Sequence, residues 1–184
     1  MFYLRTTLRK AARGLWAAVV VGVFGLGSAA AGPPPAPLAP DFPQVGQTHW
    51  LNSPPLSLAQ LRGKPVLVEF WSIGCQNSRK TLPWLSSVQR QFGEQLQIIG
   101  VHTPEFSRER DPQVVKRKLR DFEIDHPVLL DNQFRYWNAM GNRHWPALYL
   151  IDDQGRIQGA WAGQVTDGSP RAARIESAIR ALVP

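Results

Sequence analysis

The single cysteine of the 184-residue chain, Cys75, lies in the stretch WSIGCQNSRK, with Ser78 three residues further on. Two thiols at that spacing would form a redox pair; here one thiol faces one hydroxyl. A thiolate attacks a disulfide sulfur, and a second thiolate is needed to free the product from the mixed disulfide that results. A hydroxyl can donate a hydrogen bond to a thiolate but cannot make that second attack. Cys75 and Ser78 can therefore begin thiol exchange and cannot complete it between themselves. The plainer readings are a small buried cysteine and a helix-capping serine.

Two further features carry chemistry. Glu69 stands in the middle of the apolar run VLVEFW, residues 66–71. With both faces of that run covered, its carboxylate loses hydration and its pKa rises, which suits proton exchange with a nearby thiol. With one face open, it is an ordinary surface carboxylate. Trp145-Pro146 precedes a second apolar run, ALYLI. An aromatic-Pro bond there has a raised chance of being cis, and the proline leaves the carbonyl before it free for another chain; otherwise it is a strand-entry proline. His49, His102, His126 and His144 have no metal-ligand spacing among themselves, and one cysteine does not make a zinc site. No metal and no other cofactor is expected.

The elements that must position these residues follow from periodicity. VLVEFW is short, β-branched and aromatic, bounded by Gly63 and Pro65, and reads as a buried central strand. Leu82, Leu85, Val88 and Phe92 recur at helical spacing, so Lys80 to Phe92 reads as a helix, with Pro83 predicting a kink near its start. Cys75 falls at the junction, where the unpaired N–H groups and the dipole of a helix N-terminus favour a thiolate. Leu96 to Val101 is a second strand, and Asp111-Pro112 opens a helix to about Phe122. Pro127 to Leu130 is a third strand, and Phe134 to Met140 a short helix closed by Gly141, with Tyr136, Trp137 and Met140 as core. Ala147 to Ile151 and Arg156 to Ala162 form a hairpin across DDQG, and Ser169-Pro170 opens a last helix. The order βαβαβαββα predicts an α/β domain: a mixed sheet flanked by helices on both faces.

Residues 1–31 contain four basic residues, no acid and an uncharged stretch from Gly14 to Ala31. This is the order of a secretory signal peptide, cut before Gly32, or of a retained N-terminal membrane anchor over residues 14–31. Either places the folded part outside the cytoplasm, periplasmic or tethered to the inner membrane. Residues 32–43 (GPPPAPLAPDFP) read as a Pro-rich tether unable to join a ladder, with the domain over 44–184. The net charge of +7 includes that leader; without it, 17 basic residues stand against 14 acidic ones. The cluster Lys116, Arg117, Lys118 and Arg120 is then a solvated helix face, and no nucleic-acid partner is expected.

The stretch EFWSIGCQNSRKTLPWL resembles the active-site segment of the thioredoxin-like superfamily, in its extracytoplasmic TlpA-like and redoxin branch, with Cys-x-x-Ser in place of Cys-x-x-Cys. SLAQLRGKPVLVEFW, VHTPEF and NRHWPALYLIDDQGRI are similar to the same branch. The resemblance implies the thioredoxin fold from about Leu56 onward and makes Cys75 the attacking cysteine, Glu69 the buried acid and Pro146 a cis-proline facing the thiol. Trp145, Pro146, Trp71 and Gly74 would line the substrate groove, Gly74 removing the aromatic lip that often precedes the cysteine. Ser78 occupies the resolving position.

Three functions compete on these residues. The first is a monothiol thiol-disulfide oxidoreductase acting on a thiol- or disulfide-containing protein, with an external thiol reductant releasing the product. The second is a catalytically impaired binding module for a protein partner on the same fold. The third, a one-cysteine peroxidase, wants a proline seven and a Ser or Thr three residues before the thiol. Ser72 satisfies one condition and Val68 fails the other.

Overall fold

A computed structural model describes residues 34–43 and 45–184. The leader expected over residues 1–31, the first two residues of the tether and Gln44 lie outside the described residues. Residues Pro35–Pro184 form one compact unit.

Its frame is a six-stranded sheet. β1 (Trp50–Leu51), β2 (Val66–Trp71), β3 (Gln97–His102), β4 (Val128–Leu130), β5 (Ala147–Ile151) and β6 (Ile157–Ala162) lie in the order β1-β4-β3-β2-β5-β6. β2 is parallel to β3, and β3 to β4; the outer pairings, β1 with β4, β2 with β5 and β5 with β6, are antiparallel. All six residues of β2 are buried, as a continuous apolar run at the centre of a two-faced sheet requires.

Among the described residues four α-helices cover the sheet: α1 (Gln76–Phe92), α2 (Pro112–Asp121), α3 (Arg135–Ala139) and α4 (Pro170–Arg180). Alternation along β2 decides what each one covers. Leu67 joins Ile98, Leu148 and Leu150 under Trp84, Leu85 and Val88 of α1 and Ile175 and Ile179 of α4. Trp71, on the same face, packs with Leu82 of α1 and Val115 and Leu119 of α2. Val68 and Phe70 point the other way, into Tyr136, Trp137 and Met140 at α3. Each aliphatic side chain so buried contributes about 1.5–3 kcal/mol over an exposed one. The caps are those the sequence proposes. Asp111 Oδ1 accepts the Gln113 N–H at 2.8 Å, and Ser169 Oγ accepts the Ala172 N–H at 3.1 Å. α1 begins four residues earlier than its apolar spacing suggests, because Gln76, Asn77 and Arg79 are exposed and leave no periodic signal. It runs through Pro83 to Phe92.

The tether expectation fails from Pro37 onward. The Ile157 N–H donates to the Pro37 carbonyl at 2.9 Å, and the Ala39 N–H donates to the Gly155 carbonyl at 2.9 Å, with Leu38 bridged to Arg156. Phe42 is 2% exposed, its ring edge-on to Trp50 and 4.9 Å from that of Tyr136. Proline lacks a donor but keeps its carbonyl, and a non-proline residue between prolines still supplies an N–H. The segment can therefore pair at every second position.

Candidate active site

Cys75 is the N-cap of α1: its backbone is extended, and its carbonyl accepts the first helical bond, from the Arg79 N–H at 3.2 Å. The first-turn amides and the helix dipole point toward the loop that holds the thiol. The side chain is half-buried, and its Sγ–H donates to the Trp145 carbonyl at 3.6 Å. The Trp145-Pro146 peptide is cis. The Trp145 ring leans on that of Trp137, with centroids 4.4 Å apart. The thiol and the carbonyl before Pro146 thus meet across the site although 70 residues separate them.

Glu69 lies on the α1 face of β2 between Leu67 and Trp71, fully buried, and neither carboxylate oxygen has a hydrogen-bond partner. Loss of hydration raises its pKa from 4.5 to about 8, so the carboxyl is mostly protonated at neutral pH. Its register partner on β3 is Gly100. A Cβ there would sit 3.2 Å from both Trp71 Nε1 and His126 Nε2. The glycine therefore lets two nitrogens, each without a hydrogen-bond partner, approach the sheet beside the acid.

Three expected site residues behave otherwise. Ser78 is fully buried, and its Oγ accepts the Ser72 N–H at 3.4 Å; no hydrogen bond joins it to Cys75, and it does not cap α1. Trp71 has no exposed surface and lines no groove: it is core, edge-on to His102 at 5.0 Å. Alternation places it on the face that α1 and α2 cover, which decides against the groove. Gly74 does not leave the site without an aromatic wall. A Cβ at Gly74 would overlap the Phe106 ring, which comes from the segment after β3 and is 47% exposed.

Gly74→Ala is accordingly expected to displace Phe106 and to cost about 1–2 kcal/mol. A urea titration would read this as a lower midpoint. The loss should shrink in a Phe106→Ala background, and an equal loss there would show that the ring does not set it.

Sequence reasoning missed what lies beneath this wall. Glu109, in the one-turn 3-10 helix Ser107–Arg110, is 1% exposed. Its Oε2 accepts the Ser72 hydroxyl at 2.7 Å and the Glu105 N–H at 3.3 Å, and lies 3.6 Å from His102 Nε2. Burial alone would raise its carboxyl; the adjacent His102, the Ser72 hydroxyl and the Glu105 amide outweigh that and hold it below its ordinary value. Nothing in the run SRERD distinguishes the buried acid from its solvated neighbours. Among the described residues no group of three or more His, Cys, Asp or Glu side chains could hold a metal ion.

The AhpC/TSA family profile matches residues 37–160, two thirds of the chain. The chain belongs to the AhpC/TSA family. The chain is similar to Protein DipZ of Mycobacterium bovis, 40% identical over 124 residues, which is 65% of this chain and 18% of DipZ. It is also similar to the thiol-disulfide oxidoreductase YkuV of Bacillus subtilis, 30% identical over 120 residues, 65% of this chain and 80% of YkuV. The chain thus spans under a fifth of DipZ and most of YkuV. A solved thioredoxin-like protein in its oxidised form superposes with a TM-score of 0.69 at 26% identity, covering 79% of this chain and 97% of that one. A thiol-disulfide isomerase from Corynebacterium glutamicum gives 0.64 at 25%, covering 79% and 96%. The AhpC/TSA chain therefore has the thioredoxin fold and sits in the redoxin branch of the thioredoxin-like superfamily.

Proposed function

We propose that the chain is a monothiol thiol-disulfide oxidoreductase working outside the cytoplasm on thiol- or disulfide-containing proteins. The observation that carries this reading is the setting of Cys75: half-exposed at a helix N-cap, opposite the Trp145 carbonyl, with no second thiol in the chain. The Cys75 thiolate attacks one sulfur of a substrate disulfide. That bond breaks, a Cys75-substrate disulfide forms, and the other substrate sulfur leaves as thiolate. An external thiol then attacks the substrate sulfur of the mixed disulfide; Cys75 leaves as thiolate, and the substrate sulfur is left in a disulfide with the external thiol, which a second equivalent of that thiol reduces. Glu69, buried on β2 and protonated near neutral pH, would supply or take the thiol proton, while the backbone at Trp145-Pro146 and the Phe106 ring would flank the bound segment. Residues 1–31 would deliver the domain as a signal peptide or hold it at the membrane. Among the described residues no helix is long and apolar enough to cross a membrane.

The test is the rate at which oxidised glutathione modifies Cys75 in the folded chain and in the chain unfolded in urea. A helix-terminal thiol activated for exchange should react ~10-fold faster when folded. Added dithiothreitol should release the adduct quantitatively, with Cys75→Ser inert throughout. An equal or slower rate in the folded chain would sink the catalytic reading and favour a binding module. Intact mass of protein recovered from cells tests the leader, since cleavage before Gly32 removes 31 residues.

A further inference from the structure

Glu109 is a costly residue to keep where it is. A carboxylate taken out of water must recover its hydration from hydrogen bonds, and here the strongest goes to the loop that carries Cys75 rather than to its own helical turn. Its shortest contact is the Ser72 hydroxyl at 2.7 Å. That hydroxyl oxygen accepts the Gly74 N–H at 3.2 Å, and the Ser72 N–H donates to Ser78 Oγ at 3.4 Å. The other carboxylate oxygen, Oε1, lies 2.7 Å from where a Cβ of Gly74 would be. One buried carboxylate is thus linked through Ser72 to the residue before Cys75 and to the residue three after it.

We infer that Glu109 is the positioning residue of the site: through Ser72 it latches the loop of residues 72–75 to the first turn of α1 and so fixes the place of the Cys75 thiol. Ser78 belongs to the same latch. Its hydroxyl serves as an acceptor for the loop backbone, a role that the weakly accepting sulfur of a cysteine would fill poorly. The latch gives meaning to the short segment after β3, which supplies both the Phe106 wall and the anchor beneath it. Its bearing on substrates rests on the thiol-exchange reading; the latch itself does not.

The test compares Glu109→Ala, Glu109→Gln, Ser72→Ala and the Glu109→Ala/Ser72→Ala pair. Two readouts serve: amide hydrogen exchange at Gly74, and the rate of Cys75 with 5,5′-dithiobis(2-nitrobenzoate), whose disulfide the thiolate opens with release of one nitrothiobenzoate. Glu109→Ala should speed Gly74 exchange about tenfold, the scale of one lost buried hydrogen bond, with Val68 and Val101 amides unchanged. It should alter the Cys75 rate at least about threefold. Glu109→Gln, which retains an acceptor for the Ser72 hydroxyl, should recover most of both effects. Ser72→Ala should match Glu109→Ala, and the pair should be no worse than either alone.

A Glu109→Ala protein with Gly74 exchange and Cys75 rate within about twofold of the parent overturns the inference. So does faster Gly74 exchange with an unchanged Cys75 rate, or additive effects in the pair. Should Glu109→Ala not fold, Glu109→Leu, which keeps the side-chain bulk and removes the acceptor for the Ser72 hydroxyl, decides on the same criteria. The reagent reacts with any accessible thiol, so a chain that turns over no disulfide would lose the proposed function while both readouts still decide the latch.

Discussion

Ser78→Cys is expected to turn a lasting covalent adduct into a transient one. On the proposed mechanism, Cys75 of the parent chain would hold a substrate sulfur until an outside thiol arrives. In the variant, the thiolate introduced at position 78 attacks Cys75 Sγ of the mixed disulfide, the substrate leaves reduced, and a disulfide between Cys75 and the introduced sulfur closes the site. A second thiol in the first turn of α1 makes the step intramolecular, so the adduct lifetime should fall at least ~100-fold. Quenching with acid at timed intervals and weighing the intact protein would follow it. The adduct mass should persist in the parent and give way in the variant to a species two hydrogens lighter than the dithiol. An adduct equally long-lived in both would mean that the position 78 side chain stays turned toward Ser72, as the serine does. A thiol accepts the Ser72 N–H less well than a hydroxyl, so the variant should also lose about 1 kcal/mol of stability.

Glu69→Gln should leave the protein more tolerant of alkali. The Glu69 carboxyl titrates near 8 in the folded chain against 4.5 unfolded. Between those values the folded state holds a proton that the unfolded state has released, so stability falls as pH rises through the interval and is flat above it. Glutamine has no proton to lose. The stability of Glu69→Gln relative to the parent should therefore climb by about 1.4 kcal/mol per pH unit from pH 4.5 to 8, reaching roughly 4–5 kcal/mol. Urea titrations at pH 5 and pH 9 measure the difference. A gap that does not widen with pH would mean that Glu69 ionises as freely folded as unfolded.

The strands and helices that frame the site were legible because their signals are local. VLVEFW has only one comfortable place in an α/β domain, and Asp111-Pro112 and Ser169-Pro170 announce their helices by capping chemistry alone. β1 was not legible: two residues cannot show a period, and Trp50–Leu51 is a strand only because β4 lies beside it. The packing of residues 37–42 was hidden by proline content, which argues against donors and says nothing of acceptors. At the site, Cys75 and Glu69 stood out as anomalies in their surroundings, a lone thiol at a helix start and a charge in an apolar strand. Glu109 did not, since one acid among alternating charges looks solvated until the fold buries it. Ser72 and Ser78 were visible as residues, but their pairing depends on a loop path that spacing does not give.

The wall beside the thiol is carried by a different stretch of chain from the thiol itself. Glu105 to Arg108 are exposed, while Glu109 behind them is buried. On the proposed thiol exchange, substitutions at the tip of that segment would change what flanks a bound partner while Cys75, Ser72 and Glu109 keep their identity. Selectivity and reactivity would then be separable by mutation: a library confined to positions 105–108 would sample partners for one fixed thiol.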